Sequence, residues 1–122
     1  PGQQPEILWE TNEYLPEVAS PVVDNGLVFI GTSYGVIVCY DAANGEILWE
    51  FECDDGIYAS PMIADNKVFF LDMGGKMHIF KTHRTMTLMG EPELGEGSVS
   101  TPSFSDGRIY LRGYNFLYCI GI

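Results

Sequence analysis

Gly31-Thr32-Ser33-Tyr34-Gly35 carries the letters of the nucleophile elbow G-x-S-x-G, in which a serine on a strained strand-to-helix turn attacks an acyl carbon with help from a distant histidine and acid. Its surroundings argue against that chemistry. Strand-forming runs lie on both sides, Leu27-Val28-Phe29-Ile30 and Val36-Ile37-Val38-Cys39-Tyr40, and the matching turn later in the chain has Met73 where Ser33 stands. A hairpin turn accounts for both glycines. His78 falls within a strand-like run and His83 within a polar loop, without the paired spacing of a zinc site, so both are expected as ordinary surface or interface residues. Asp54-Asp55 lacks the spaced oxygen ligands of a calcium loop. Cys39, Cys53 and Cys119 show neither metal nor redox-pair spacing and are expected as buried free thiols. No catalytic, cofactor-binding or metal-ligating residue is therefore expected.

Charge suggests a different kind of site. The net charge is -11, from 17 acidic and 6 basic side chains, which disfavours nucleic acid because phosphate contacts need a basic track. Eight of those 17 acids are Glu13, Glu17, Glu52, Asp54, Asp55, Glu91, Glu93 and Glu96, and they fall at the end of a fourth strand or in the loop leading to the next first strand of the repeats described below. Together with nearby tyrosines they predict one acidic, aromatic face. The residues expected to meet a partner are Tyr14, Glu17, Tyr34, Asp54, Asp55 and Tyr58, and the partner would be a cationic protein or peptide steered by charge. The plainer reading is that the acids only keep the molecule dispersed.

The elements that would position this face follow from repetition. Glu6-Ile7-Leu8-Trp9-Glu10 returns unchanged as Glu46-Ile47-Leu48-Trp49-Glu50, a period of 40 residues. Ala19-Ser20-Pro21 returns as Ala59-Ser60-Pro61 and, one residue late, as Ser100-Thr101-Pro102. A fixed period in this range marks stacked supersecondary units, none able to bury its apolar face alone. After each proline come a few residues and then a turn, Asp24-Asn25-Gly26, Asp65-Asn66-Lys67 or Ser105-Asp106-Gly107, whose residues tolerate the positive φ of tight hairpins. Apolar runs follow, rich in β-branched and aromatic residues: Leu27 to Ile30, Val68 to Leu71 and Ile109 to Leu111. A glycine-bearing turn and a third run complete the pattern, and Trp49 sits in the fourth. Proline is tolerated at a strand's first residue, so Pro21, Pro61 and Pro102 mark the start of each innermost strand.

The expected fold is all-β, a partial β-propeller of about three four-stranded antiparallel blades. The repeats run over 19–58, 59–99 and 100–122, with 6–11 as a leading fourth strand. Trp9 and Trp49 are expected as packed structural residues. Met89 takes the tryptophan position of the second repeat, where a flexible thioether fills an indole's gap with less buried area and leaves a looser blade. No apolar run approaches the length of a membrane-spanning helix.

The string Ala-Ser-Pro, hairpin turn, Val28-Phe29-Ile30-Gly31, glycine turn, Val38-Cys39-Tyr40-Asp41-Ala42, Asn44-Gly45-Glu46, Leu48-Trp49 resembles the repeat of the pyrroloquinoline-quinone-like propellers. That superfamily includes quinoprotein alcohol dehydrogenases and the lipoprotein that assists outer-membrane barrel assembly. The resemblance implies a bacterial periplasmic or cell-surface protein. It also implies three roles: a non-enzymatic scaffold for protein or ligand interaction, a fragment of a quinoprotein oxidoreductase using pyrroloquinoline quinone with calcium, or the sensor domain of a receptor. The scaffold is the leading expectation, with no cofactor, because the chain lacks the adjacent cysteines and the calcium-binding acids such enzymes use. Three blades fall short of the roughly four to eight that close a ring. Either further blades belong to a longer propeller, or a second copy supplies them. The first is favoured here, since the chain opens without Met in the linker-like stretch Pro1-Gly2-Gln3-Gln4-Pro5.

Overall fold

The computed structural model describes residues 2 and 4–121, and among these it contains strands and turns but no helix. Pro1 and Gln3 of the expected linker, and Ile122 at the end of the third repeat, lie outside the described residues. Blade 1 is an antiparallel sheet of β1 (Val22–Asp24), β2 (Leu27–Gly31), β3 (Val36–Asp41) and β4 (Ile47–Glu52), in that order. Blade 2 repeats it with β5 (Met62–Ala64), β6 (Lys67–Leu71), β7 (Met77–Lys81) and β8 (Leu88–Gly90). Blade 3 has β9 (Ser103–Ser105), β10 (Arg108–Arg112) and β11 (Leu117–Gly121).

Turn chemistry sets the strand register. The first hairpin of each blade turns on Asn25-Gly26 (φ 53° and 72°), Asp65-Asn66 (54° and 58°) or Asp106-Gly107 (51° and 73°). Two successive left-handed residues make the turn whose twist matches that of the flanking strands, and Asn, Asp and Gly enter that region at least cost. Strands β1, β5 and β9 begin on the residue after Pro21, Pro61 and Pro102, as expected. The residues before those prolines link the blades. The Ser20 backbone N–H donates to Ser60 Oγ at 2.8 Å, and the Ser60 N–H donates to Thr101 Oγ1 at 3.1 Å.

Alternation along each strand then faces blade to blade. Phe29, Ile37, Cys39 and Trp49 of blade 1 pack with Val68, Phe70 and Phe80 of blade 2 in one buried cluster. Phe69, Leu71 and Met77, on the opposite side of blade 2, pack with Ile109 and Leu111 of blade 3. The runs are apolar on both faces because an inner blade has a neighbour on each side. Trp49 joins the first seam. Its ring centroid lies 6.0 Å from that of Phe29 in its own blade and 5.0 Å from that of Phe80 in the next, and its Nε1–H donates to the His83 carbonyl at 3.0 Å.

Three expectations are corrected. Glu6–Thr11 forms no strand, and Ile7 and Leu8 are each 79% exposed, because none of the described blades presents a third-strand edge beside that segment. Trp9 is nevertheless seated as Trp49 is. It lies against Tyr40, the counterpart of Phe80, at 6.2 Å, and its Nε1–H donates to the Ala42 carbonyl at 2.8 Å. Met89 does not occupy the tryptophan position of β8: Ile79 pairs with Gly90 as its counterpart Cys39 pairs with Trp49, so Gly90 stands there, and Met89, 47% exposed, falls on the bulge as Leu48 does in β4. An open cleft of about 630 Å³, lined by Phe69, Ile79, Met89 and Phe104, remains at the second seam. The three cysteines are free, but only Cys39 is buried; Cys53 is half-buried and Cys119 is exposed. Cys39 lies opposite Phe29 and Cys119 opposite Tyr110, so the two do hold equivalent positions in separate blades.

Trp49→Ala removes an indole packed on both sides and should lower unfolding free energy by about 3–5 kcal/mol in denaturant melts. Iodide should quench Trp9 fluorescence far more than that of Trp49, which is 8% exposed.

Candidate protein-interaction face

Backbone hydrogen bonds gather the turns and inter-blade loops on one side. The Cys53 N–H donates to the Gly35 carbonyl at 2.7 Å, which ties the loop after β4 to the β2–β3 turn of its own blade. The Met73 N–H donates to the Gly56 carbonyl at 2.9 Å and the Tyr114 N–H to the Gly97 carbonyl at 3.0 Å, which tie each loop to the matching turn of the following blade. Tyr34 and Tyr114 are therefore presented on the side that carries the acidic loops, both more than half exposed.

Of the residues expected to bind a partner, Tyr34, Asp54, Asp55 and Tyr58 come from this turn and loop of blade 1. Asp54 and Asp55 are exposed and take part in no ion pair among the described residues, while Tyr58 is half-buried. Tyr14 belongs to a different surface. It packs with Ile30, Val38 and Tyr40 on the flank of blade 1 turned away from blade 2, and its hydroxyl donates to the Glu50 carboxylate. That hydrogen bond, with desolvation and the nearby charge of Glu13, pushes the phenol up to about 12. Glu17 is exposed on the segment that leads from this flank into β1.

Two acids read as parts of the rim have structural partners. Glu96 accepts from the Tyr118 hydroxyl at 2.6 Å, the Asn115 N–H and side-chain amide at 2.8 and 3.0 Å, and the Phe116 N–H at 3.1 Å, and so closes the β10–β11 turn. The Tyr118 hydroxyl foremost, helped by the amides, holds its carboxyl below the usual glutamate range despite some desolvation. Glu91 places Oε2 at 2.8 Å from His78 Nδ1, while Asp72 Oδ2 lies 2.8 Å from His78 Nε2. His78 is 2% exposed, so it is a buried histidine and not a surface one. A doubly protonated ring satisfies both carboxylates, and a neutral ring satisfies one. Asp72 Oδ1 also accepts from the Gly74 and Lys76 amides at 3.0 Å each, in the role Thr32 Oγ1 plays for Val36 in blade 1. Asp72 six residues before His78 was the visible signal; Glu91 becomes its partner only once β8 has turned back beside β7.

Comparison with known proteins places this architecture. Residues 3–85 match the family described as outer membrane protein assembly factor BamB. The chain belongs to this pyrroloquinoline-quinone-like propeller repeat family. The quinoprotein ethanol dehydrogenase of Pseudomonas putida is 40% identical over 58 residues, which cover 47% of this chain and 9% of that protein. BamB from Moraxella catarrhalis superposes with a TM-score of 0.76 at 18% identity, over 93% of this chain and 36% of that one. The quinohemoprotein alcohol dehydrogenase ADHIIG of Pseudomonas putida HK5 gives 0.71 at 14% identity, over 87% and 18%. The likeness to both structures is one of fold. The match covers less than a tenth of the length of the curated quinoprotein dehydrogenases it aligns with.

The dehydrogenase relatives raise the question of a quinone with a metal ion. Among the described residues no three His, Cys, Asp or Glu side chains are grouped to hold a metal. The Asp72, His78 and Glu91 donors are already spent on one another and on backbone amides. Cys39 and Cys53 do not supply a reactive thiolate either, since burial pushes each thiol up to about 12. The described residues do not by themselves fit such a group.

His78→Phe should cost about 3 kcal/mol or more in unfolding free energy, because it leaves the buried Asp72 carboxylate without its imidazole partner. Glu96 stabilises through a depressed folded-state pKa, so its contribution is fully present above the ordinary glutamate value and fades as pH falls through the depressed one. Melts from neutral to acid pH should therefore show an acid-side loss of stability that is smaller in Glu96→Gln.

Proposed function

We propose that the chain is part of a non-enzymatic propeller scaffold, in which the loop face of blade 1 docks a cationic protein or peptide. The observation that carries the reading is the exposure of Asp54 and Asp55, free of ion pairs among the described residues, beside the exposed Tyr34 and the half-buried Tyr58. Unpaired carboxylates accelerate encounter with a positive partner, and tyrosines supply contact area at low entropic cost. Tyr14 and Glu17 flank this face, with Tyr14 held by Glu50. The match to the BamB family supports a scaffold role, and the bacterial relatives support a periplasmic or cell-surface location. A second reading, part of a quinoprotein oxidoreductase, is favoured by the 40% identity to the ethanol dehydrogenase. It would require the quinone and calcium site to be built from other blades.

The test is binding of a lysine-rich peptide to the chain by calorimetry at low and high salt. Asp54→Lys with Asp55→Lys should weaken it on the order of tenfold, and added salt should do the same. Tyr34→Ala should add to the loss. Binding that ignores both charge reversal and salt would overturn the reading. Dye-linked alcohol oxidation on addition of pyrroloquinoline quinone and calcium would shift the assignment to the oxidoreductase.

A further inference from the structure

At the second seam the chain leaves open a slot that it fills at the first. Trp49 pairs with Cys39 and lies 6.0 Å from Phe29, and by register the same three positions of blade 2 hold Gly90, Ile79 and Phe69. No side chain from β8 therefore bridges to blade 3, and the cleft of about 630 Å³ opens against Phe69, Ile79, Met89 and Phe104. That volume is typical of small-molecule sites, which are mostly apolar with a few placed polar groups. The backbone does not demand the glycine. Gly90 has no positive φ, and a Cβ built on it would meet only Pro92 Cδ, at 3.9 Å. The residues that line the cleft all lie between Asp65 and Gly107, inside the chain.

One end of this cleft is cationic. Lys67 lines it, and stands in β6 where β2 has Leu27, which is 1% exposed. Across the sheet Lys67 pairs with Lys81, where Leu27 pairs with Asp41. The Thr82 N–H donates to the Asn66 carbonyl at 3.1 Å, so the two lysines form the kind of antiparallel pair that exchanges no backbone bond and holds its side chains closest. By alternation both share the sheet face of Phe69 and Ile79. Like charges directly opposite are destabilising, and an anion between them removes that cost. Asp65 draws on Lys67 from 3.5 Å with its own side chain 80% exposed, whereas Lys81 is in no ion pair among the described residues.

We propose that the cleft binds a small aromatic carboxylate of the indole-acid class, its ring in the slot that Trp49 fills at the first seam and its carboxylate at Lys67 and Lys81. A cavity left by a missing apolar side chain takes up a ligand shaped like the missing group. Phe69 offers the ring the contact that Phe29 offers Trp49, and Phe104, 40% exposed, supplies a wall from blade 3. Met89 stands at the rim, where a flexible thioether can close over an aromatic ring. The cleft opens beside the first hairpin turns of blades 2 and 3, at the strand ends opposite the loop face, so the site is separate from the docking surface proposed above.

The test is calorimetric titration of the chain with indole-3-acetate, with neutral indole and cationic tryptamine as companions. Indole-3-acetate should saturate with a Kd below about 1 mM, indole should bind more weakly and tryptamine most weakly. In a chain of net charge -11 the background field favours the cation, so a preference for the anion reports the two lysines. Lys67→Gln with Lys81→Gln should weaken indole-3-acetate on the order of tenfold and leave indole unchanged. Asp65→Asn, harmless at φ 54°, should tighten indole-3-acetate by freeing Lys67. Gly90→Trp should supply the ring from within and abolish binding. Asp54→Lys with Asp55→Lys should leave binding unchanged in about 0.15 M salt, so this site and the loop face fail or stand separately. Absence of saturable binding, equal affinity for indole-3-acetate and tryptamine, or binding indifferent to the lysine pair and to Gly90→Trp would each overturn the proposal.

Discussion

The indole that one blade lends to the next holds this architecture together. Trp49 leaves β4, lies between Phe29 of its own sheet and Phe80 of the following one, and ends in a hydrogen bond to the His83 carbonyl. A four-stranded sheet of this size cannot bury both of its faces by itself, and a large rigid side chain that spans the seam satisfies two sheets at once. Its N–H also meets a carbonyl in the turn after β7, which would otherwise lie at the edge of an apolar seam without a donor. Trp9 makes the matching bond to Ala42 with no strand around it, which shows that the seat is a property of the receiving blade.

Around those seams, polar groups fix rotation and turn geometry. The bonds from Ser20 to Ser60 and from Ser60 to Thr101 join the inner strands without a continuous backbone ladder between sheets. At the opposite ends of the strands, side-chain oxygens close the turns in three chemical versions: Thr32 in blade 1, Asp72 in blade 2 and Glu96 in blade 3. Each accepts backbone amides that a tight turn leaves without strand partners. The acidity of the chain thus has two origins, turn closure and surface charge, and only the second is free to meet another molecule.

How far the sequence could be read follows from the range of the forces involved. The repeat, the three type of hairpin turn residues and the alternating runs are local, and they located every strand from Val22 onward. Cys39 and Cys119 were matched across blades because register follows from the same turns. The Glu6–Thr11 segment was misjudged because its letters match β4, while a strand exists only when an edge lies beside it. The acids were harder still. Composition cannot distinguish Asp54, which is exposed, from Glu96, which is locked by Tyr118 and three amide donors, because that difference depends on which turn from the next blade arrives alongside. His78 was underestimated for the same reason, since Glu91 approaches it from a separate strand connection.

The absence of an indole from β8, where Gly90 stands at the position of Trp49 beside an exposed Met89, has a mechanical consequence. In a stack whose members touch only their neighbours, cooperativity is no stronger than the weakest coupling between adjacent members. The first seam is bolted by an indole, whereas the second keeps an open cleft under a short outer strand with an exposed thioether. The stack therefore has a fault line between Met89 and Phe104, along which blade 3 can hinge or detach while the pair before it stays intact.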